Sequence, residues 1–293
     1  MKTPTFDLIV VGAGPAGLTA ATEAARAGLK CLCLDKLAPG GQLINLGELH
    51  EVDDVFTGTQ TAALMTDDAA IAGVEVGYGE VVKLSGDGPW TVETAEGELH
   101  TGRAVVIATG LNKGRLGVPN EDQFEGRGLS HCAACDGPLY AGLPVIVAGA
   151  SGWATHEARE LVGLASEVTV IGPAPADAAD PEDIAFIDGQ IVELEGDNGL
   201  ESVVIESEGA RNTVPASAVF VYIGQSPAAE FLPESLARDA AGHIVVDVDG
   251  RTSAPAVFAA GDVRASGRQY LVDAIGDGRR AAKAVVAALN KAN

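Results

Sequence analysis

LIVVGAGPAGLTAATEAARAGLKCLCLD, residues 8–35, runs an apolar strand into a glycine turn, an alanine-rich helix and a second apolar strand. That order is a βαβ unit, and a parallel sheet with a crossover helix follows from it. A second stretch, VIVAGASGWATHEARELVGLASEVTVIG (145–172), repeats the design. The chain is therefore an internal duplication of one supersecondary unit.

Working outward, short alternating strands are expected near 74–84, 90–94 and 98–100, where GDG supplies turn chemistry. AVVIATG (104–110) reads as a buried strand ending in a tight turn. Further strands are expected at 191–194, 202–206, 218–223, 243–247 and 257–262, and 277–293 closes the chain as a helix. LNKGRLGVPN (111–120) and 225–242 carry the Pro, Gly and charge of crossings between domains. The expected fold is α/β, with two Rossmann-like three-layer dinucleotide-binding domains, the second inserted into the first. The boundaries read from the crossings are 1–113 with 242–293 for one domain and 114–241 for the other.

The 293 residues suffice for two domains, and 47% hydrophobic content with 37 Gly and 4% aromatics suits close helix–strand packing. With 19 Lys and Arg against 41 Asp and Glu, the net charge is −22. That acidity argues against nucleic acid or anionic membrane as a partner and is most simply read as solubility. No run approaches the ~18–20 apolar residues of a membrane span. The early run follows Asp7 and leads into a glycine turn, unlike a signal-peptide core, so the expected location is the cytoplasm.

Gly12, Gly14 and Gly17 fit G-x-G-x-x-G between a strand and a helix. The first permits the turn, the second lets a pyrophosphate approach the backbone, and the third lets helix touch sheet. Unpaired N–H groups at the helix start then face the phosphates, and Asp35 sets a carboxylate at the ribose. A purely structural glycine turn is the weaker alternative, because strand, helix and acid all stand in position.

SHCAACDGPLY (130–140) holds Cys132-x-x-Cys135 followed by Asp136. Such a pair is half a zinc site or a redox dithiol, and zinc needs two more ligands at suitable spacing. Cys31 and Cys33 alternate along a strand as core, and His131 and His156 stand isolated. No metal is expected. The redox reading prevails, with Asp136 as proton donor or acceptor for the thiolate.

Taken in order, the first βαβ, GGQL (40–43), ATG (108–110), C-x-x-C-D-G, YIGQSP (222–227) and AAGD (259–262) resemble the thioredoxin reductase family along essentially the whole chain. The resemblance implies an FAD domain built from both chain ends, an inserted nicotinamide domain carrying the disulfide, and a homodimer. It implies that Gly12, Gly14, Pro15, Ala16, Gly17, Asp35 and Lys36 hold the ADP half of FAD. Gly41, Gln42, Leu43 and Asn45 would follow the cofactor toward its ring, with Val82 by the adenine. Ala108, Thr109 and Gly110 would lie near the flavin, and Gly261 and Asp262 at the ribityl chain. Gln269 and Tyr270 fall where the family has Arg-Gln, so a Tyr270 ring would stack on the flavin unless a one-residue slip restores Arg268-Gln269.

The chain also departs from the family. Asp35 stands for the usual Glu, and His50 or Glu51 for an Asn. The nicotinamide turn, G-x-G-x-x-A in the family, has Ser151 at its second glycine and Trp153 where a small residue opens the helix. The His-Arg-Arg and further Arg that bind the NADPH 2′-phosphate in the family are replaced by Gly172, Pro173, Ala174 and Ala178, and no acid ends the strand to suit NAD. Asp177 and Asp180 would repel a phosphate, and 172–190 leaves little room for the usual helix. Such departures resemble members reduced by ferredoxin.

The expected function is flavin-dependent disulfide oxidoreduction, exchanging electrons between FAD, the Cys132–Cys135 disulfide and a thioredoxin-like protein or small dithiol. A ferredoxin-like donor would meet Arg264, Arg268, Arg279 and Arg280. One alternative is a dithiol oxidase using oxygen, against which Asp136 counts because such oxidases carry His there. A conventional NADPH thioredoxin reductase is another. A non-enzymatic FAD-holding module fits poorly with an intact Cys pair and acid.

Overall fold

In the structure, a computed structural model, the described residues are 5–46, 57–149, 152–173 and 183–291, the side chain of Trp153 excepted. The chain divides into two compact units, Met1–Asn112 with Ser226–Asn293, and Lys113–Gln225. No helix among the described residues is long and apolar enough to cross a membrane.

The first unit opens with β1 (Phe6–Val11), α1 (Pro15–Arg26), β2 (Cys31–Asp35), α2 (Gly58–Ile71), β3 (Glu75–Tyr78), β4 (Val81–Gly86), β5 (Trp90–Thr94) and β6 (Leu99–Ile107). The second contains α3 (Glu121–Phe124), β8 (Leu129–Ser130), α4 (Ala133–Asp136), β9 (Pro144–Ala148), α5 (Gly152–Leu161), β10 (Glu167–Ile171), β11 (Ile184–Ile187), β12 (Gln190–Glu195), β13 (Ser202–Ser207), β14 (Ala210–Pro215) and β15 (Ala218–Val221). The crossings are the short paired strands β7 (Leu111–Lys113) and β16 (Gln225–Pro227). β17 (Val257–Ala259) and α6 (Leu271–Lys291) complete the first unit.

The first sheet runs β3-β2-β1-β6-β5-β4, with β17 also on β6. β1, β2, β3, β6 and β17 are parallel, while β4 and β5 form an antiparallel hairpin on the first half of β6. One face packs alanines of α1 and α6 against Leu8, Val10, Cys31 and Cys33. α6 can approach α1 this closely because position 278 is glycine; a Cβ there would lie 2.4 Å from the Ala16 carbonyl. α2 starts at a reciprocal capping box between Thr57 and Gln60. The second unit holds a parallel sheet, β11-β10-β9-β15-β8, and an antiparallel one, β12-β13-β14.

Several expectations are corrected. The segments expected at 98–100 and 104–110 merge into one strand, β6, which ends at Ile107 and is continuous through Gly102 because the hairpin pairs its start and β1 its second half. Residues 243–247 form no strand; Ile244 makes isolated bridges to Arg238 and Arg264. The closing helix begins at Leu271, ahead of Asp277. The second crossing falls at 225/226 rather than 241/242. Ala229, Leu232 and Leu236 bury themselves with Leu84, Trp90 and Val92, which draws 226–241 into the first unit.

Candidate functional site

Cys132 and Cys135 are joined by a disulfide with Cα atoms 5.3 Å apart. Their sulfurs are thus spent on each other rather than on a metal. The turn is short because Cys132 caps α4, its sulfur accepting from the Cys135 N–H at 3.2 Å. Cys132 is buried and Cys135 exposed. Ser130, from the end of β8, donates to Asp136 Oδ2 at 2.6 Å and accepts from the Cys132 N–H at 3.1 Å. The acid after the second cysteine is therefore oriented by the residue two before the first.

Charged neighbours in the same unit surround this turn. Burial pushes the Lys113 ammonium down from its ordinary range, against the pull of Glu125 and Asp136. His131 Nε2 lies 3.2 Å from Glu125 Oε1, while its buried Nδ1 has no partner among the described residues. Two residues without an expected role also reach the turn. The Tyr222 hydroxyl accepts from the Ala133 N–H at 2.8 Å and donates to Glu157 Oε2 at 2.6 Å. Tyr222 opens the YIGQSP stretch, but nothing in the sequence ties it or Glu157 to the turn.

In the first unit the glycine turn has the geometry a dinucleotide needs. Gly12 has φ +101°, and a Cβ there would sit 2.4 Å from the Ala108 carbonyl. A Cβ on Gly17 would fall 1.8 Å from the Gly12 carbonyl, so the helix touches the turn. A Cβ built on Gly14 would meet nothing nearer than Gly41 Cα at 3.9 Å, so the backbone there is open to a pyrophosphate. α1 starts with Pro15 and no side-chain cap at Gly14, so its amino end is left for an anion. Ala16 is buried under Gly261, whose own Cβ would lie 2.9 Å from the Ala16 Cβ.

Asp35 Oδ2 accepts from the Ala13 N–H at 2.6 Å and Oδ1 from the Leu37 N–H at 2.9 Å, with Lys36 exposed beside it. Gly41, Gln42, Leu43 and Asn45 share one 3-10 turn, in which Leu43 is buried and the Asn45 amide faces Gln42 at 3.5 Å. The Gly40 N–H donates to the Ala13 carbonyl at 2.8 Å, tying this turn to the glycine loop. Val82 sits at a bulge between β4 and β5 and is 46% exposed, and Gly79 is bonded back to the Asp35 carbonyl. Past β6, Ala108 is buried, Thr109 donates to the Ala228 carbonyl at 2.6 Å, and the Gly110 carbonyl accepts from Ala228. The cradle fits FAD. His50 and Glu51 lie outside the described residues.

Asp262 accepts from the Gln269 N–H at 3.2 Å, and burial raises its carboxyl above the usual range. Tyr270 is 52% exposed, with the Arg268 guanidinium 5.9 Å from its ring centre. Buried Asp277 binds Arg264, Arg280 and the Gly261 N–H, and Arg268 pairs with Asp273. These acids cancel two of the four charges expected to form a basic patch. Cys31 and Cys33 are core: burial, then Asp7, pushes the Cys31 thiol up to about 12.

In the second unit Gly149 makes the corresponding turn; a Cβ there would lie 2.6 Å from the Tyr222 carbonyl. β10 ends at Ile171, and the residues that follow it, Gly172 and Pro173, bring no charge. Ser151, Ala174, Asp177, Ala178, Asp180 and the Trp153 side chain lie outside the described residues.

A family model for pyridine nucleotide-disulphide oxidoreductases matches residues 6–290. The thioredoxin reductase of Listeria innocua is 33% identical over 288 residues, covering 93% of this chain and 90% of that protein. The structure of Lactococcus lactis thioredoxin reductase is 31% identical with a TM-score of 0.89, covering 98% of this chain and 100% of that one. A ferredoxin-flavin thioredoxin reductase from Clostridium acetobutylicum, 24% identical over 98% of each chain, has a TM-score of 0.55 and shares the fold alone.

Proposed function

This chain belongs to the thioredoxin reductase family of pyridine nucleotide-disulphide oxidoreductases, and on that premise we propose that it exchanges electrons between FAD and its Cys132–Cys135 disulfide, drawing them from a donor other than NADPH. Gly12, Gly14, Ala16, Gly17 and Asp35 would hold the ADP half, and the 41–45 turn, Thr109, Gly110 and Asp262 the flavin half. FAD supplies the two-electron carriage when bound. The chain's own residues manage the sulfur chemistry. Reduction breaks the Cys132–Cys135 bond with two electrons and two protons and leaves two thiols. Asp136, oriented by Ser130, takes up or returns the thiol proton. A thioredoxin-like protein disulfide then forms a mixed disulfide with one cysteine, which the other resolves, restoring the original bond.

The observation that carries the donor reading is the end of β10. Gly172 and Pro173 follow Ile171 there, in a family whose members bind a 2′-phosphate with cations. A charge-assisted hydrogen bond is worth roughly 1.5–3 kcal/mol, so two lost cations weaken NADPH by about a hundredfold or more. A ferredoxin-like protein is the proposed donor. The active form is proposed to be a homodimer; Leu64 and Ile71 of α2, 54% and 85% exposed one heptad apart, offer a face for a second copy.

Anaerobic reduction of the flavin tests this. Dithionite or a reduced ferredoxin is expected to bleach it, while NADPH and NADH at millimolar concentration do not at a useful rate. Rapid bleaching by micromolar NADPH would restore the conventional enzyme.

A further inference from the structure

The redox turn is held by a side chain from outside its own motif. Tyr222, just past β15, accepts from the Ala133 N–H at 2.8 Å and donates to Glu157 of α5 at 2.6 Å. Ala133 is 2% exposed and Glu157 8%, so solvent competes for neither. Burial first, and the Glu157 carboxylate second, push the Tyr222 hydroxyl far above its ordinary range. Its proton is therefore held toward Glu157.

We propose that Tyr222 and Glu157 are positioning residues that keep the reduction potential of Cys132–Cys135 low, by withholding the Ala133 N–H from the reduced turn and holding a carboxylate behind it. The inference rests on reading this disulfide as the redox centre. Reduction adds two electrons and two protons to give two thiols, and one proton is released to solvent where a backbone N–H pointing at the sulfur stabilises its thiolate, which favours the reduced form. The Cys135 N–H already points at Cys132 Sγ, at 3.2 Å. The Ala133 N–H lies one residue from that cysteine, and Tyr222 engages it instead. Glu157 and Asp136 both act electrostatically on Tyr222 beside the turn, and carboxylates so placed disfavour a second negative charge on a neighbouring sulfur. Lys113, which feels the charges of Glu125 and Asp136, is the cation near the turn, and His131 pairs with Glu125. The charge balance of the turn is thus tilted against the reduced form, which makes the dithiol the stronger reductant.

The test is a glutathione redox titration of the purified protein at pH 7. Two glutathione thiols reduce the protein disulfide to a dithiol and become glutathione disulfide, so electrons and protons balance. Tyr222→Phe is expected to shift this equilibrium about tenfold toward the dithiol, which is about 30 mV for a two-electron couple. Glu157→Gln keeps an acceptor for the tyrosine while removing the charge, and is expected to shift it the same way by a smaller factor. It also serves should Tyr222→Phe fail to fold. Wild-type potentials in the folded variants, whatever their melting temperatures, overturn the proposal, and so does a shift toward the disulfide. A wild-type disulfide that titrates with glutathione yet never exchanges electrons with the flavin sinks the functional reading alone.

Discussion

In the first βαβ unit the Gly12 N–H donates to the Leu34 carbonyl at 2.7 Å; in the second the Gly149 N–H donates to Ile171 at 2.9 Å. Ala108 donates to Val11 in one and Tyr222 to Ala148 in the other, both at 2.7 Å. A Cβ on either glycine would strike the carbonyl of the matching neighbour, at 2.4 and 2.6 Å. These two backbone bonds recur in both units. What differs is the chemistry beyond the second strand: Asp35 bonded to the Ala13 N–H in the first unit, uncharged Gly172 and Pro173 in the second. Strand pairing enforces the turn whether or not a ligand binds. The side chains that recognise a nucleotide carry no such structural duty, so they can change while the fold stays.

The comparison is broken most sharply at the two glycines. Gly12→Ala and Gly149→Ala should each cost about 3 kcal/mol, since both demand a backbone alanine resists and both meet a carbonyl. Only Gly12→Ala should also lose FAD, read from flavin absorbance after purification; equal flavin loss from both would mean the second turn is no less a cofactor turn. Grafting cations onto the second unit comes next. Pro173→Arg with Ala174→Arg should tighten NADPH about a hundredfold, measured as the concentration dependence of anaerobic flavin bleaching. No gain would locate the defect elsewhere in the turn. The smallest effect is expected at Asp35, where Asp35→Asn weakens a charged acceptor of two N–H groups and should lower FAD affinity roughly tenfold by fluorescence titration.

Much of this was legible in the sequence because two constraints were local. The glycine turns and apolar runs mark both βαβ units, and C-x-x-C-D marks the redox turn. What escaped depended on packing across sequence distance. Gly102 reads as a break, yet β6 passes through it because neighbours pair on both sides. β14 is almost wholly exposed and lacks the apolar alternation that identifies a strand, its register coming from β13. Residues 226–241 looked like a linker by composition, and only the burial of Ala229, Leu232 and Leu236 assigns them to the first unit. Tyr222 and Glu157 lie far apart in sequence from the turn they support, and no motif links them to it.

The split first unit has a cost that falls during synthesis. α6 packs over α1 and β17 pairs with β6, yet both are translated after the whole of Lys113–Gln225. At roughly 5–20 residues per second, a ribosome leaves the alanine face of α1 and one edge of β6 without their covers for on the order of ten seconds. The nascent chain must carry that half-built sheet, sticky edge included, until its last helix emerges.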